Sequence, residues 1–94
     1  MTALNSSSIE TRLRELPGWK FEEGRIAKTF TLPTFHRAIA FVVEIGMLAD
    51  VADHHPDLSI AYTTVVVTLS THDAKGVTGK DFALAAQIED ALRG

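Results

Sequence analysis

The sequence predicts an α+β fold in one domain, with a four-stranded antiparallel sheet and three helices packed on one face. Three observations lead there. Apolar residues recur at helical spacing in three segments and alternate with polar ones in four. The order is helix, two strands, helix, two strands, helix, so the strands come in adjacent pairs instead of alternating singly with helices. The length, 94 residues, suits one domain with a modest core.

Taken in order, Asn5-Ser6-Ser7-Ser8 opens the first helix, and Ser7 with Glu10 fits a capping box. Ile9, Leu13 and Leu16 follow at helical spacing, and Pro17-Gly18 ends the helix. Trp19 to Glu22 alternates as a half-buried strand does. Glu23-Gly24 is a turn, and Ile26 to Phe30 alternates again, which completes a β-hairpin. Pro33 suits the first turn of a second helix, predicted to run to about His54.

That second helix carries two apolar stripes. Phe35, Ala38, Ile39, Val42, Ile45, Gly46 and Ala49 form one; Phe41, Leu48 and Ala52 form another, with Val43 and Met47 nearby. A helix apolar nearly all round is hard to bury in a small monomer. The second stripe is therefore expected to pack against another subunit, although a fully enclosed core helix would read the same way. Pro56 stops the helix. Asp57 to Tyr62 and Thr64 to His72 alternate as two further strands, with a turn near Thr63. Gly76 marks a loop, Thr78 with Asp81 forms a second capping box, and Phe82, Ala85, Ile88 and Leu92 trace the last helix.

Composition excludes several classes. The net charge of -3 lacks the Lys/Arg surplus that gripping nucleic acid requires. With no cysteine there is no disulfide, thiolate nucleophile or Cys-based zinc site. The stretch from Ala38 to Ala49 is too short to span a membrane, and Met1 to Ser8 has no signal pattern, so a cytoplasmic location is expected. There is no Gly-rich phosphate loop, and Ser6 to Ser8 have no nucleophile context.

Three of the four histidines fall at predicted element ends: His54 and His55 close the long helix and His72 closes the last strand. Carbonyls at a helix C-terminus carry partial negative charge, which favours a protonated imidazole. Asp50, one turn before His54, can face it, and Asp53 is close. A partly protonated histidine near neutral pH can give a proton to a leaving group. His72 shares a polar strand face with Thr64, Thr68 and Ser70, and can wall an open cleft. Bland alternatives stand beside this: a solvated helix cap for His54 and His55, and an exposed strand end for His72. A zinc site is a rival, but adjacent helical residues point about 100° apart, so His54 and His55 do not easily share a metal. His36 reads as surface, and Asp81 as a capping residue.

The same residues resemble the pterin-4a-carbinolamine dehydratase family over nearly the whole chain. The resemblance begins at Leu16-Pro17-Gly18-Trp19 and the hairpin and continues through Phe35, Arg37-Ala38 and Phe41. Its specific part is Asp50, His54-His55-Pro56, Tyr62, Thr71-His72-Asp73, Gly76, Thr78 and Asp81, in the family's order and spacing. It implies dehydration of 4a-hydroxytetrahydropterin to quinonoid dihydropterin, which recycles the pterin used by aromatic amino acid hydroxylases. It implies proton donation to the 4a-hydroxyl by His54 and His72, with His55 chiefly holding the pterin and Asp50 orienting His54. Asp50, His55, Pro56, Tyr62, Thr71 and Asp73 are the implied substrate-binding residues. No metal or cofactor is implied, the pterin being the substrate. A homodimer or homotetramer through the Pro33–Asp53 helix and a sheet edge is expected.

Two departures bear on affinity. Leu58 stands where some family members carry Trp, and Asp50 is one methylene shorter than Glu. Two other functions compete with the dehydratase: a partner-binding module with a vestigial site, and a metal-dependent hydrolase. The intact histidine set argues against the former.

Overall fold

The computed structural model describes residues 2–93. Its elements are α1 (Ser6–Leu13), β1 (Lys20–Glu22), β2 (Arg25–Thr31), α2 (Phe35–Ala52), β3 (Asp57–Ala61), β4 (Thr64–Leu69), a short 3-10 helix (His72–Ala74) and α3 (Gly79–Arg93). The predicted α+β order is observed. All strand pairs are antiparallel and the sheet order is β1-β2-β4-β3, so β1 and β3 are the edges.

Local chemistry sets the boundaries. The cap of α1 is Asn5, whose side chain accepts from the Ser8 backbone N–H; the expected Ser7–Glu10 box does not form. Asn5 preempts it because its carboxamide already stands three residues before Ser8. The β1–β2 turn uses Glu23 and Gly24 with φ of 51° and 79°, the left-handed pair that a two-residue hairpin favours. Thr34 caps α2 through the Arg37 N–H, so Pro33 lies before the helix and not in its first turn.

One sheet face is the core face. Register places Ile26 opposite Leu69 and Phe30 opposite Val65, and all four are buried with Val67. From α2 the core takes Ala38, Phe41, Ile45 and Ala49, and from α3 Phe82, Leu84, Ala85 and Ile88. The expected stripes of α2 are thus redistributed. Phe41 joins the core with Ala38 and Ile45, while Phe35 and Ile39 face outward with Val43, Met47 and Val51. A core-facing stripe widens to admit Phe41 because its ring meets Phe30 edge-on at 5.0 Å. The hairpin is tied to α3 by Glu89, which accepts from Trp19 Nε1 at 2.9 Å and Lys28 Nζ at 2.6 Å. No helix among the described residues is long and apolar enough to cross a membrane.

Candidate active site

The histidines sit where three element ends converge. Helix α2 ends at Ala52, two residues short of the predicted end at His54. Asp53 turns left-handed (φ 51°), and the His54 N–H returns to the Ala49 carbonyl while the Asp53 N–H reaches that of Asp50. This 6→1 and 5→2 pattern is a Schellman ending. It carries His54 off the helical track, so Asp50 and His54 are not one helical turn apart.

The expected contact between Asp50 and His54 is accordingly replaced. Asp50 Oδ1 meets His55 Nε2 at 2.9 Å, in an exposed pair. His54 Nε2 instead meets Asp81 Oδ1 at 2.6 Å, with its side chain only 12% exposed and that of Asp81 at 0%. Solvent screens the first pair strongly, and the second hardly at all.

Asp81 is the residue that sequence reasoning undervalued. It forms half of the predicted capping box: its Oδ2 accepts from the Thr78 N–H at 2.9 Å, while Thr78 Oγ1 accepts from the Lys80 N–H at 3.3 Å and not from that of Asp81. Asp81 Oδ2 also accepts from Thr71 Oγ1 at 2.8 Å, and Thr71 and Thr78 hydroxyls are 2.8 Å apart. Thr71 Oγ1 and the Thr78 N–H both donate to Oδ2, which leaves Oδ1 to His54; an ionised carboxylate only accepts, so the tautomer that suits this contact carries its hydrogen on His54 Nε2. His54 Nδ1 has no hydrogen bond among the described residues. No buried side-chain nitrogen or oxygen there lacks a partner, so this atom reaches solvent. The imidazole is thus held by one nitrogen and offered by the other, an arrangement that orients a proton donor or acceptor. The signal for it was present in the sequence, as a capping acid downstream of a strand-end histidine.

His72 lies beyond β4, which stops at Leu69 and not at His72 as predicted; it opens the 3-10 helix. Gly76 explains the early stop, since Thr71 bridges back to it and the chain turns away through Lys75 (φ 56°). His72 is exposed and lines an open cavity of about 530 Å³ with Glu23, Arg25, Ser70, Asp73 and Lys75, a volume within the range of small-molecule sites. Thr71, beside it, is buried and bonded to Asp81. One carboxylate therefore links the His54 turn to the His72 turn. Pro56 is half-buried next to His55, and Asp73 is exposed next to His72.

Tyr62 is not brought to this cluster. It sits at the β3–β4 turn with φ 53° and is 76% exposed. The extended chain of β3 separates it from Pro56 by about 20 Å at the strand rise.

Known proteins resemble the chain along nearly its whole length. A family model described as Pterin 4 alpha carbinolamine dehydratase matches residues 2–91. A Roseiflexus castenholzii relative, provisionally named as a pterin-4-alpha-carbinolamine dehydratase, is 54% identical over 95% of this chain and 96% of its own. A Sulfolobus acidocaldarius relative with the same provisional name is 46% identical over 90% and 93%. The solved transcriptional coactivator/pterin dehydratase from Brucella melitensis superposes with TM-score 0.92 at 33% identity, covering 95% of this chain and 97% of that one. A pterin dehydratase-like RuBisCO assembly factor of the alpha-carboxysome has TM-score 0.65 at 23% identity over 81% and 87%, a likeness of fold alone.

Proposed function

The chain belongs to the pterin-4a-carbinolamine dehydratase family, and from that premise we propose that it dehydrates 4a-hydroxytetrahydropterin to quinonoid dihydropterin. In this reading it is a hydro-lyase that returns the pterin to a form reducible for aromatic amino acid hydroxylation. The observation that carries the proposal is the shared carboxylate of Asp81, which holds His54 by Nε2 and holds Thr71 beside His72.

The chemistry is balanced within the substrate. The C4a–O bond breaks, the departing hydroxyl takes a proton and leaves as water, and a pterin ring nitrogen gives up a proton. Losing water is far easier than losing hydroxide, and a positioned general acid contributes about 10²–10⁴-fold. His54, offered through Nδ1, and His72, in its open cavity, are the proposed proton donors. His55, with Pro56 and Asp73, is proposed to hold the pterin. Asp50 then positions His55, and Asp81 takes the role first given to Asp50. No metal or cofactor enters these steps; the pterin is the substrate.

The test is loss of 4a-hydroxypterin absorbance. We expect clear acceleration by the wild-type chain and a fall of about 10²-fold or more for His54→Ala or His72→Ala. His55→Ala is expected to raise KM more than it lowers kcat. No acceleration by the wild-type chain overturns the proposal.

Assembly belongs to the same reading. Phe35, Ile39, Val43, Met47 and Val51 leave an exposed apolar stripe on α2, and β3 is an open sheet edge. A homodimer or homotetramer through these two surfaces covers both. A second reading, partner binding, is favoured by the likeness to the Brucella melitensis protein, which is described as a transcriptional coactivator as well as a pterin dehydratase. A stoichiometric protein partner without pterin turnover would select it.

A further inference from the structure

We propose that Glu23, at the tip of the β1–β2 hairpin, receives the amino-pyrimidine edge of the pterin through its carboxylate, with Arg25 beside it donating to the 4-oxo group. This rests on the pterin reading above and adds to it the residue that selects a 2-amino-4-oxo heterocycle.

Sheet topology brings the hairpin tip to the histidines. Strand β4 lies between β2 and β3. Its end runs out between the start of β3, just after His55 and Pro56, and the start of β2, just after Glu23 and Gly24. The pairs that place it so are Thr68 with Asp57 and Leu69 with Ile26. Neighbouring strands stand about 4.8 Å apart, so the His55 and Glu23 ends lie about 10 Å apart across the His72 turn. A two-ring heterocycle with a hydrogen bond at its edge fills such a span. The tip also reaches the loop that carries His72: a Cβ added at Gly24 would lie 4.0 Å from the Gly76 Cα. Glu23 and Arg25 both line the cavity that His72 lines.

Glu23 is a poor choice for the turn it occupies. Both tip residues are left-handed, with φ 51° for Glu23 and 79° for Gly24. A hairpin of this type favours Asn, Asp or Gly at its first central position, because short or absent side chains tolerate positive φ. Glutamate has neither property. Its carboxylate is exposed and forms no ion pair among the described residues, so no such contact within the chain offsets the strain. A strained residue with a free carboxylate, set in the cavity of a proton donor, is the pattern of a side chain held for a ligand.

The order of donors and acceptors selects the ligand. The pyrimidine edge of a pterin presents the 2-amino group, N3–H and the 4-oxo oxygen in sequence: two donors, then an acceptor. A carboxylate takes two parallel N–H donors at once, as it does from a guanidinium, and a guanidinium donates to an oxo group. Glu23 and Arg25, on one turn, supply that complement side by side. Asp73 is the other carboxylate of the cavity, but it adjoins His72. C2 is the ring atom opposite C4a, so the acceptor of the 2-amino group belongs across the ring from the proton donor. Glu23, on the other turn, meets that condition.

Binding and turnover test this separately. Glu23→Asn puts a favoured residue in the turn, so a Tm no lower than that of wild type is expected. Its affinity for 7,8-dihydropterin, read by equilibrium dialysis, should fall about tenfold or more, the factor that loss of a charge-assisted hydrogen bond gives. KM for the 4a-hydroxypterin should rise in step, with kcat little changed. Wild type should also prefer 7,8-dihydropterin to the analogue with hydrogen in place of the 2-amino group, and Glu23→Asn should bind the two alike. Glu22→Gln removes the neighbouring carboxylate, which does not line the His72 cavity, and should behave as wild type.

Unchanged affinity or an unchanged preference in Glu23→Asn overturns the assignment. So does an equal loss in Glu22→Gln, which would mean charge at a distance, and so does a preference abolished by Asp73→Asn instead. Dihydropterin binding with the Glu23-dependent preference but without turnover would sink the dehydratase reading and leave this assignment standing. No dihydropterin binding by the wild-type chain overturns it.

Discussion

His54 and His55 are adjacent, and each meets a carboxylate, but their surroundings differ. His54 stands in a nearly closed pocket against a fully buried Asp81, while His55 and Asp50 are 59% and 80% exposed. Removing the His54 ring leaves a buried carboxylate short of one donor, though Thr71 and the Thr78 N–H remain. The expected cost of His54→Ala is about 1–3 kcal/mol. His55→Ala removes an exposed, screened contact and is expected to change stability by no more than about 0.5 kcal/mol. Urea denaturation at fixed protomer concentration checks both; equal losses would mean that the Asp81 contact contributes nothing. The residue scale also shows what could not be read in advance. Thr78 and Asp81 were legible as a cap from spacing alone. That the cap also grips His54 depends on the Schellman ending of α2, and Asp53 gives no glycine signal for it.

At the scale of elements, the segment bearing His72 is fixed at its base by contacts from the start of the chain. The Leu4 N–H donates to the Val77 carbonyl at 2.8 Å, and a Cβ added at Gly76 would lie 2.8 Å from the Ala3 Cβ. Gly76→Ala must therefore displace either this N-terminal segment or the Thr71–Gly76 bridge that shapes the His72 turn. The expected loss is about 1–3 kcal/mol, as for overpacking elsewhere, with reduced turnover. Ala3→Gly in the same chain should restore most of both; a double variant no better than Gly76→Ala would place the strain elsewhere. The same loop shows why elements were more legible than their joins. Strand pairs and helices followed from periodicity, because burying one face demands it. The early end of β4 arises from a bridge between Thr71 and Gly76 and a left-handed Lys75, neither of which has a periodic signature. The exchange of Phe41 for Phe35 on the core face of α2 likewise depends on where Phe30 lies across the sheet.

For the whole molecule, the question is how a chain of this size keeps α2 in water. Its inner face is covered by the sheet and α3, and its outer face presents Val43 at 58% exposure and Met47 at 66%. Apolar residues spaced four apart on one side of a long helix are the pattern of a helix that packs on another helix. The β3 edge lies on the sheet and the stripe lies on α2, so pairing through one leaves the other available. Using both generates a closed tetramer from two-fold contacts, whereas using one stops at a dimer. Charges placed on the stripe separate the two contacts. Val43→Glu with Met47→Glu should leave helix content unchanged, since both positions face outward, and should halve the molar mass of a wild-type tetramer in light scattering. A dimer should remain in that variant, because the β3 edge does not involve these residues. A tetramer that survives two buried carboxylates per helix would show that the stripe faces solvent, since burying unpaired charges in an apolar interface is too costly to go unnoticed.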